Sequence, residues 1–275
     1  MSALFIAAIH NGELPNSPAA ETLGQLREAS PDSTVVEIVE QPQINDSPDP
    51  DELLRWGQRQ WSLEAQWRDH LGQRSTLREA VGRLGFALWK SRLRFSAAFR
   101  SRSWHVRQIE AVVSAKHQRA WARFLQSDAS TAVIIESDAT WVTDSDAWLN
   151  KVTKALPAAT PAYVNLAGGL SDRRLAIGAP TQTANGAAPE GVRTFEPAVT
   201  NTSCAYMINR PMAELLLAYA QSQSADQVLG IDWLINAAFM RAHASNQAIT
   251  CWHCEPAVLT HGSLAGITQS WHPAR

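Results

Sequence analysis

Three features of the 275-residue sequence predict an α/β domain built on a largely parallel sheet. Its strand-length segments are continuous apolar runs rather than alternating ones, as expected of strands covered on both faces. Helical stretches separate those runs, so the chain opens with a β-α-β rhythm. No internal repeat or low-complexity tract interrupts the pattern, and the length fits one domain spanning 1–275.

The first run, Ala3 to Ile9, ends in a turn containing Gly12, Pro15 and Pro18. Only seven apolar residues precede His10 and no basic leader flanks them, so the segment is read as a strand and not as a signal peptide. A helix from Ala19 to Ala29 leads through Pro31 and Asp32 to the β-branched strand Thr34 to Val39. A proline-rich loop from Gln41 to Pro50 follows, and 51–107 then reads as a helical insertion rich in Trp and Arg. Helical spacing runs from Ile109 to Leu125, and the apolar strand Thr131 to Ile135 ends in Glu136-Ser-Asp138. Asp144 to Leu156 is a helix stopped by Pro157, and Ala162 to Leu166 is a strand. The Gly-, Pro- and Thr-rich stretch from Gly168 to Pro197 is a long loop, read as a lid. A strand at Ser203 to Ile208, helices at Pro211 to Gln221 and Asp226 to Ala242, and a strand at Ala248 to Trp252 complete the chain.

Composition excludes several classes. A net charge of -2 rules out a global attraction to polyanions, and 45% apolar with 18% charged residues argues against disorder and against a long coiled coil. Three cysteines cannot staple a chain of this size, which points to a reducing compartment, and no apolar stretch reaches the ~18 residues of a spanning helix. The expected location is cytoplasmic, with peripheral attachment at the inner membrane as a further option.

The strongest chemical signal is the strand tip Glu136-Ser-Asp138. Two carboxylates at the carboxyl end of a parallel strand stand where ligands of such sheets bind, and paired oxygen donors suit Mg²⁺ or Mn²⁺ bridging to substrate phosphates. A capped strand end with a solvated aspartate explains the same residues without chemistry.

Several segments in order add to this. Ser114-Ala-Lys-His117 with Trp121, followed by Ile135-Glu-Ser-Asp138, resembles the serine-histidine-x3-tryptophan helix and acidic strand end of glycosyltransferase family 25, the lipooligosaccharide and procollagen sugar transferases. Downstream, Ala205-Tyr-Met-Ile-Asn-Arg210, Gly230-Ile-Asp232 and the region from Glu255-Pro256 to Ser270-Trp271 are similar to that family's tyrosine strand, Pro-Ile-Asp segment and C-terminal region. The resemblance covers Ile109 to the end. Ser137 replaces the middle carboxylate, Lys116 replaces the serine before the histidine, and the family's N-terminal arginine loop has no counterpart after Ile9.

The resemblance implies a GT-A fold, a Rossmann-like sheet binding a UDP-sugar, with Glu136 and Asp138 holding Mn²⁺ or Mg²⁺ against the diphosphate. It implies an inverting transfer of a hexose, galactose being the candidate, to a surface-glycan or lipid-linked acceptor, with Asp232 as the general base. The same Asp232 also reads as an N-cap for a helix starting at Trp233. His261 is a candidate metal ligand or an exposed loop histidine. His117 reads as a buried side chain ordering the strand tip. Asn165 and the run Asn201-Thr-Ser203 are candidate sugar contacts, although such residues also stand at turns for local reasons. A non-catalytic GT-A-like protein binding a nucleotide or glycan is the alternative.

Two motifs remain. Cys251-Trp-His-Cys254 lacks a second ligand pair at zinc spacing and stands too late in the chain for a thioredoxin-like motif. Between His70 and Ile109, nine basic residues face one acid, Glu79. The stretch 74–107 is a solvated helical face, a patch for an anionic membrane surface, or, with no recognised motif behind it, a nucleic-acid contact; nucleic acid is not expected.

Overall fold

The computed structural model describes residues 4–12, 14–41, 45, 47–72, 75–142, 146–168, 189, 191–200, 202–223 and 229–262. Seven strands form the main sheet in the order β2-β1-β3-β8-β5-β9-β7. These are β1 (Leu4–His10), β2 (Thr34–Val39), β3 (Thr131–Glu136), β5 (Ala162–Asn165), β7 (Val192–Thr194), β8 (Ala205–Asn209) and β9 (Thr250–Cys254). A three-stranded sheet joins β4 (Ala139–Trp141), β6 (Ala167–Gly168) and β10 (Leu259–His261). The helices are α1 (Pro18–Ala29), α2 (Pro50–His70), α3 (Thr76–Phe95), α4 (Ala97–Gln126), α5 (Asp146–Ala155), α6 (Arg210–Gln221) and α7 (Ile231–Ala244).

The runs of β1, β3, β5 and β8 are buried as their composition requires, whereas β2, at the sheet edge, leaves Thr34, Glu37 and Val39 exposed. All of β1 is buried, and its alternate side chains enter two separate cores because successive strand residues face opposite sides. Phe5, Ala7 and Ile9 join Ile134, Tyr206, Tyr163 and Cys251 beneath α4, α6 and α7. Leu4, Ile6 and Ala8 join Val133, Ile135, Met207 and Trp252 beneath α1 and α5. The result is a three-layer α/β/α arrangement with a mixed sheet, compatible with a Rossmann-like fold. β1 runs parallel to β2 and β3, and β5 parallel to β9, whereas β8 is antiparallel to both β3 and β5.

The stretch 51–107 is helical, made of α2, α3 and the first part of α4. α4 runs unbroken from Ala97 to Gln126, because no proline or glycine interrupts it. It therefore couples the insertion directly to the sheet, over roughly 45 Å at 1.5 Å per residue. Asp49 caps α2 by accepting from the backbone N–H groups of Asp51 and Glu52. Ser96 alone separates α3 from α4: its hydroxyl accepts from Phe99 N, while Arg100 donates to Leu93 O and Arg94 O at the end of α3. Gly57 on α2 is obligatory for close approach, since a Cβ there would overlap the Trp89 ring of α3. At the far end of α4, the Arg210 guanidinium donates to Leu125 O and Ser127 O, both at 2.7 Å, closing the helix against the start of α6.

Most of the predicted loop from Gly168 to Pro197, and with it the lid, lies outside the described residues.

Candidate functional site

The sheet order creates the site. The chain leaves β1 for β2 on one side and returns to β3 on the other, so the order reverses between β1 and β3. α1 packs on one face and α4 on the opposite face, which opens a crevice at the carboxyl ends of these two strands. Ile9 lies opposite Glu136 in the register, so the tip of β1 is level with the Glu136-Ser-Asp138 turn. Because β8 is antiparallel, its entry segment, Ser203 and Cys204, arrives at the same edge; Cys204 O accepts from Glu136 N at 2.8 Å.

Glu136 is the last residue of β3, and its Oε1 receives two hydrogen bonds, from His117 Nε2 and Ser203 Oγ, both at 3.1 Å. Among the described residues none reaches Oε2. His117 is fully buried on α4, and its Nδ1 lies 2.8 Å from Tyr206 Oη, which also accepts from Trp121 Nε1 at 2.8 Å. The indole can only donate, so the tyrosine hydroxyl gives its own proton to Nδ1, and Nε2–H then donates to Glu136; this network assigns the tautomer. His117 and Trp121 stand four apart on one helix face, with Ser114 three residues before, where it donates to Leu229 O ahead of α7. One face of α4 thus fixes the tips of β3, β8 and α7 together. Burial, opposed by the Trp121 hydrogen bond, pushes the Tyr206 hydroxyl well above its usual range, so it stays protonated in this role.

Asp138 follows in the turn to β4, not on an extension of β3, so the two carboxylates meet different neighbours. Its Oδ2 lies 2.9 Å from His261 Nδ1, which β10 delivers by pairing His261 opposite Ala139. Asp138 Oδ1 lies 3.5 Å from the Cys204 thiol. The hydrogen bond to Asp138 raises the His261 pKa above 6.5, against desolvation and with help from Glu136 and Asp232. Burial, then Asp138, Glu136 and Asp232, hold the Cys204 thiol far above its ordinary value. His261 and Cys204 thus feel the same three carboxylates.

Asp232 sits in the first turn of α7, but Gly230 and not Asp232 occupies the N-cap. The N-cap explanation therefore fails: the helix begins two residues earlier than Trp233. Burial and then the charge of Glu136 push the Asp232 carboxyl from 3.8 to about 6, with Ser203 and His117 opposing the rise. Its buried Oδ1 has no hydrogen-bond partner among the described residues. Ser203, which donates to Glu136, is thus also a neighbour of Asp232.

Sequence reasoning missed Ser203 as a partner of Glu136, Lys116 as a tie to the β1 tip and Glu110 altogether. Lys116 is 1% exposed, and its amino group donates to His10 O and Asn11 Oδ1, at the β1 tip that lies level with the acidic turn of β3. Its place directly before His117 is the signal that could have found it, since α4 points this end of its face at the sheet edge. Glu110 lies against Gly230; burial first, then Asp232, raises its carboxyl to about 7, with Trp56 and Arg107 opposing.

Asn165 is buried beneath the edge, where its amide donates to Thr202 O at 3.2 Å and braces the segment carrying Ser203. Asn201 lies outside the described residues. Cys251 and Cys254 stand three apart on β9, hence on opposite faces, and Cys251 belongs to one core while Cys254 packs against the other. Burial pushes the Cys251 thiol up to about 12, so the pair offers neither a chelate nor a reactive thiolate. A cavity of about 630 Å³ lined by Phe195, His243 and Trp252 lies away from these carboxylates.

Glu136 and Asp138 supply hard oxygen donors, with the borderline imidazole of His261 beside Asp138. Among the described residues no group of three or more His, Cys, Asp or Glu side chains is gathered as a metal cage. Mg²⁺ and Mn²⁺ do not require one: they bind through one or two carboxylates, water and substrate phosphates, which this pair fits. No protein-family model matches the chain, and no curated protein is significantly similar to it.

Proposed function

We propose that the chain is a glycosyltransferase of the GT-A type, related to glycosyltransferase family 25, that moves a hexose from a UDP-sugar to a glycan or lipid-linked acceptor. The observation carrying this reading is the acidic turn Glu136-Ser-Asp138 at the strand-order reversal between β1 and β3, with Asp232 and Lys116 brought to the same edge. Carboxylates alone would repel a diphosphate, so the site calls for a cation. Mn²⁺ or Mg²⁺, held by Asp138 and Glu136 with His261 beside them, would supply the charge that neutralises the departing nucleoside diphosphate.

The chain's own residues do the rest. Lys116 ties α4 to the β1 tip through His10 O and Asn11 Oδ1. His117 and Ser203 hold Glu136 Oε1, so that its carboxylate meets the substrate in one orientation. Asp232 takes the proton from the acceptor hydroxyl as that oxygen attacks the anomeric carbon. A carboxyl raised to about 6 remains ionised at neutral pH while being a better base than an ordinary aspartate.

The contact of Asp138 Oδ2 with His261 favours a second reading, a nucleotide- or glycan-binding protein without turnover, because that oxygen already has a partner. One experiment separates them. The protein is incubated with Mn²⁺ and a panel of UDP-sugars, and released UDP and free sugar are quantified. Slow hydrolysis of one donor, lost in Asp232→Asn with UDP binding kept, is the expected result. UDP binding without any hydrolysis supports the second reading in its nucleotide-binding form, and neither binding nor hydrolysis rejects the transferase and that form together.

A further inference from the structure

The insertion carries a surface that the sheet-edge site does not use. On α3, Leu77, Val81, Leu84, Leu88 and Phe95 are 73%, 62%, 62%, 59% and 79% exposed. Their spacings of four, three, four and seven residues put all five within roughly 60° of one line at 100° per residue. The opposite face is already occupied. Phe86 stacks on Trp61 of α2 at 5.6 Å, Trp89 meets Trp56 at 6.5 Å and Phe99 at 6.5 Å, and Leu93 is buried. α3 therefore cannot turn to hide the stripe without exposing its aromatic face, and nothing among the described residues covers it. Isolated exposed apolar side chains are ordinary, but five aligned on a twenty-residue helix are not.

Charge decides what covers the stripe. Arg92 flanks it on one side, Arg83 and Arg94 on the other, all exposed, and the single acid, Glu79, lies toward α2 and is paired with Arg83. Two copies meeting along this stripe would bring these arginines against one another. Single-stranded nucleic acid would need outward aromatic rings, yet Phe86 and Trp89 are turned inward and Phe95 alone is left. Among the described residues no helix is long and apolar enough to cross a membrane, so the stripe would lie on a bilayer and not enter it.

We propose that α3 docks on an anionic phospholipid surface, with the Leu77, Val81, Leu84, Leu88 and Phe95 stripe in the acyl boundary and the flanking arginines on the headgroup phosphates. Through the continuous helix α4, the same contact fixes the sheet-edge site relative to the membrane.

The test is sedimentation of the full chain with vesicles of phosphatidylcholine containing phosphatidylglycerol, and with pure phosphatidylcholine. The expected result is preferential binding to the anionic vesicles, weakened by salt. Arg83→Gln with Arg92→Gln should weaken partitioning about thirtyfold, from ~1 kcal/mol per arginine near such a surface. Leu84→Ser with Leu88→Ser should weaken it also, with unchanged circular dichroism, since both side chains are exposed. No sedimentation of the native chain, or variants that bind like it, overturns the proposal. Self-association by analytical ultracentrifugation that the leucine substitutions abolish overturns it in favour of a second copy. Retention of single-stranded RNA that depends on the arginines but not the leucines overturns it in favour of nucleic acid.

Discussion

Replacing Asp232 by Asn should remove the catalytic base and stabilise the fold, and the two effects are separable by pH. The Asp232 carboxyl is raised from 3.8 to about 6 by burial and by Glu136. Below the lower value both the folded and unfolded chains carry the proton and the residue costs nothing. As the pH rises the unfolded chain ionises first, so stability falls until the folded carboxyl ionises too, and the full penalty stands above about pH 6. A gap of about two pK units corresponds to ~3 kcal/mol. The expectation is that Asp232→Asn is more stable than the native chain by ~3 kcal/mol at about pH 8, and nearly equal to it at about pH 3. Urea unfolding of both proteins at the two pH values measures this. Equal stabilities at the higher pH, or the same difference at both, would refute the idea that a buried negative charge is held at the site against its own solvation.

Other outcomes follow from single groups. Tyr206→Phe deletes the hydroxyl shared by His117 and Trp121, leaving two buried groups without a partner, so a loss of ~1–3 kcal/mol is expected in urea unfolding; a neutral effect would contradict the tautomer assigned to His117. Gly57→Ala drives a methyl into the Trp89 ring and should cost ~1–3 kcal/mol, with altered tryptophan fluorescence; unchanged stability and emission would deny the close approach of α2 and α3. The His261 pair with Asp138 contributes stability that is fully present below 6.5 and is lost as the pH rises through the raised folded value. His261→Gln should therefore lose stability chiefly on the acidic side, read from thermal unfolding across pH, and a uniform loss would show that the ion pair is not what matters.

The elements legible in the sequence are those whose physics is local. Thr34 to Val39 was bounded by Asp32 on one side and the proline loop on the other, and β1 and β3 declared themselves by unbroken apolar runs. The strands β4, β6, β7 and β10 are two or three residues long, and only their distant partners make them strands. The limit at 107 follows a change in composition, and α4 runs on through it because no breaker accompanies that change. In the site, Glu136 and Asp138 could be read from a strand ending in acids. Ser203, Tyr206 and Lys116 could not be placed, since the antiparallel insertion of β8 and the crossing of α4 bring them to the edge from 67 residues after Glu136 in one case and from the opposite face in the other. Asp232 was found by resemblance, but its setting beside Glu136 and Ser203 is a product of the fold.

Calorimetric titration of UDP into the protein, with and without Mn²⁺, bears most directly on the role of the acidic turn. The expected result is heat of binding only when Mn²⁺ is present, abolished in Asp138→Ala while urea unfolding shows that variant folded. Binding that ignores Mn²⁺, or that survives the loss of Asp138 unchanged, would contradict it.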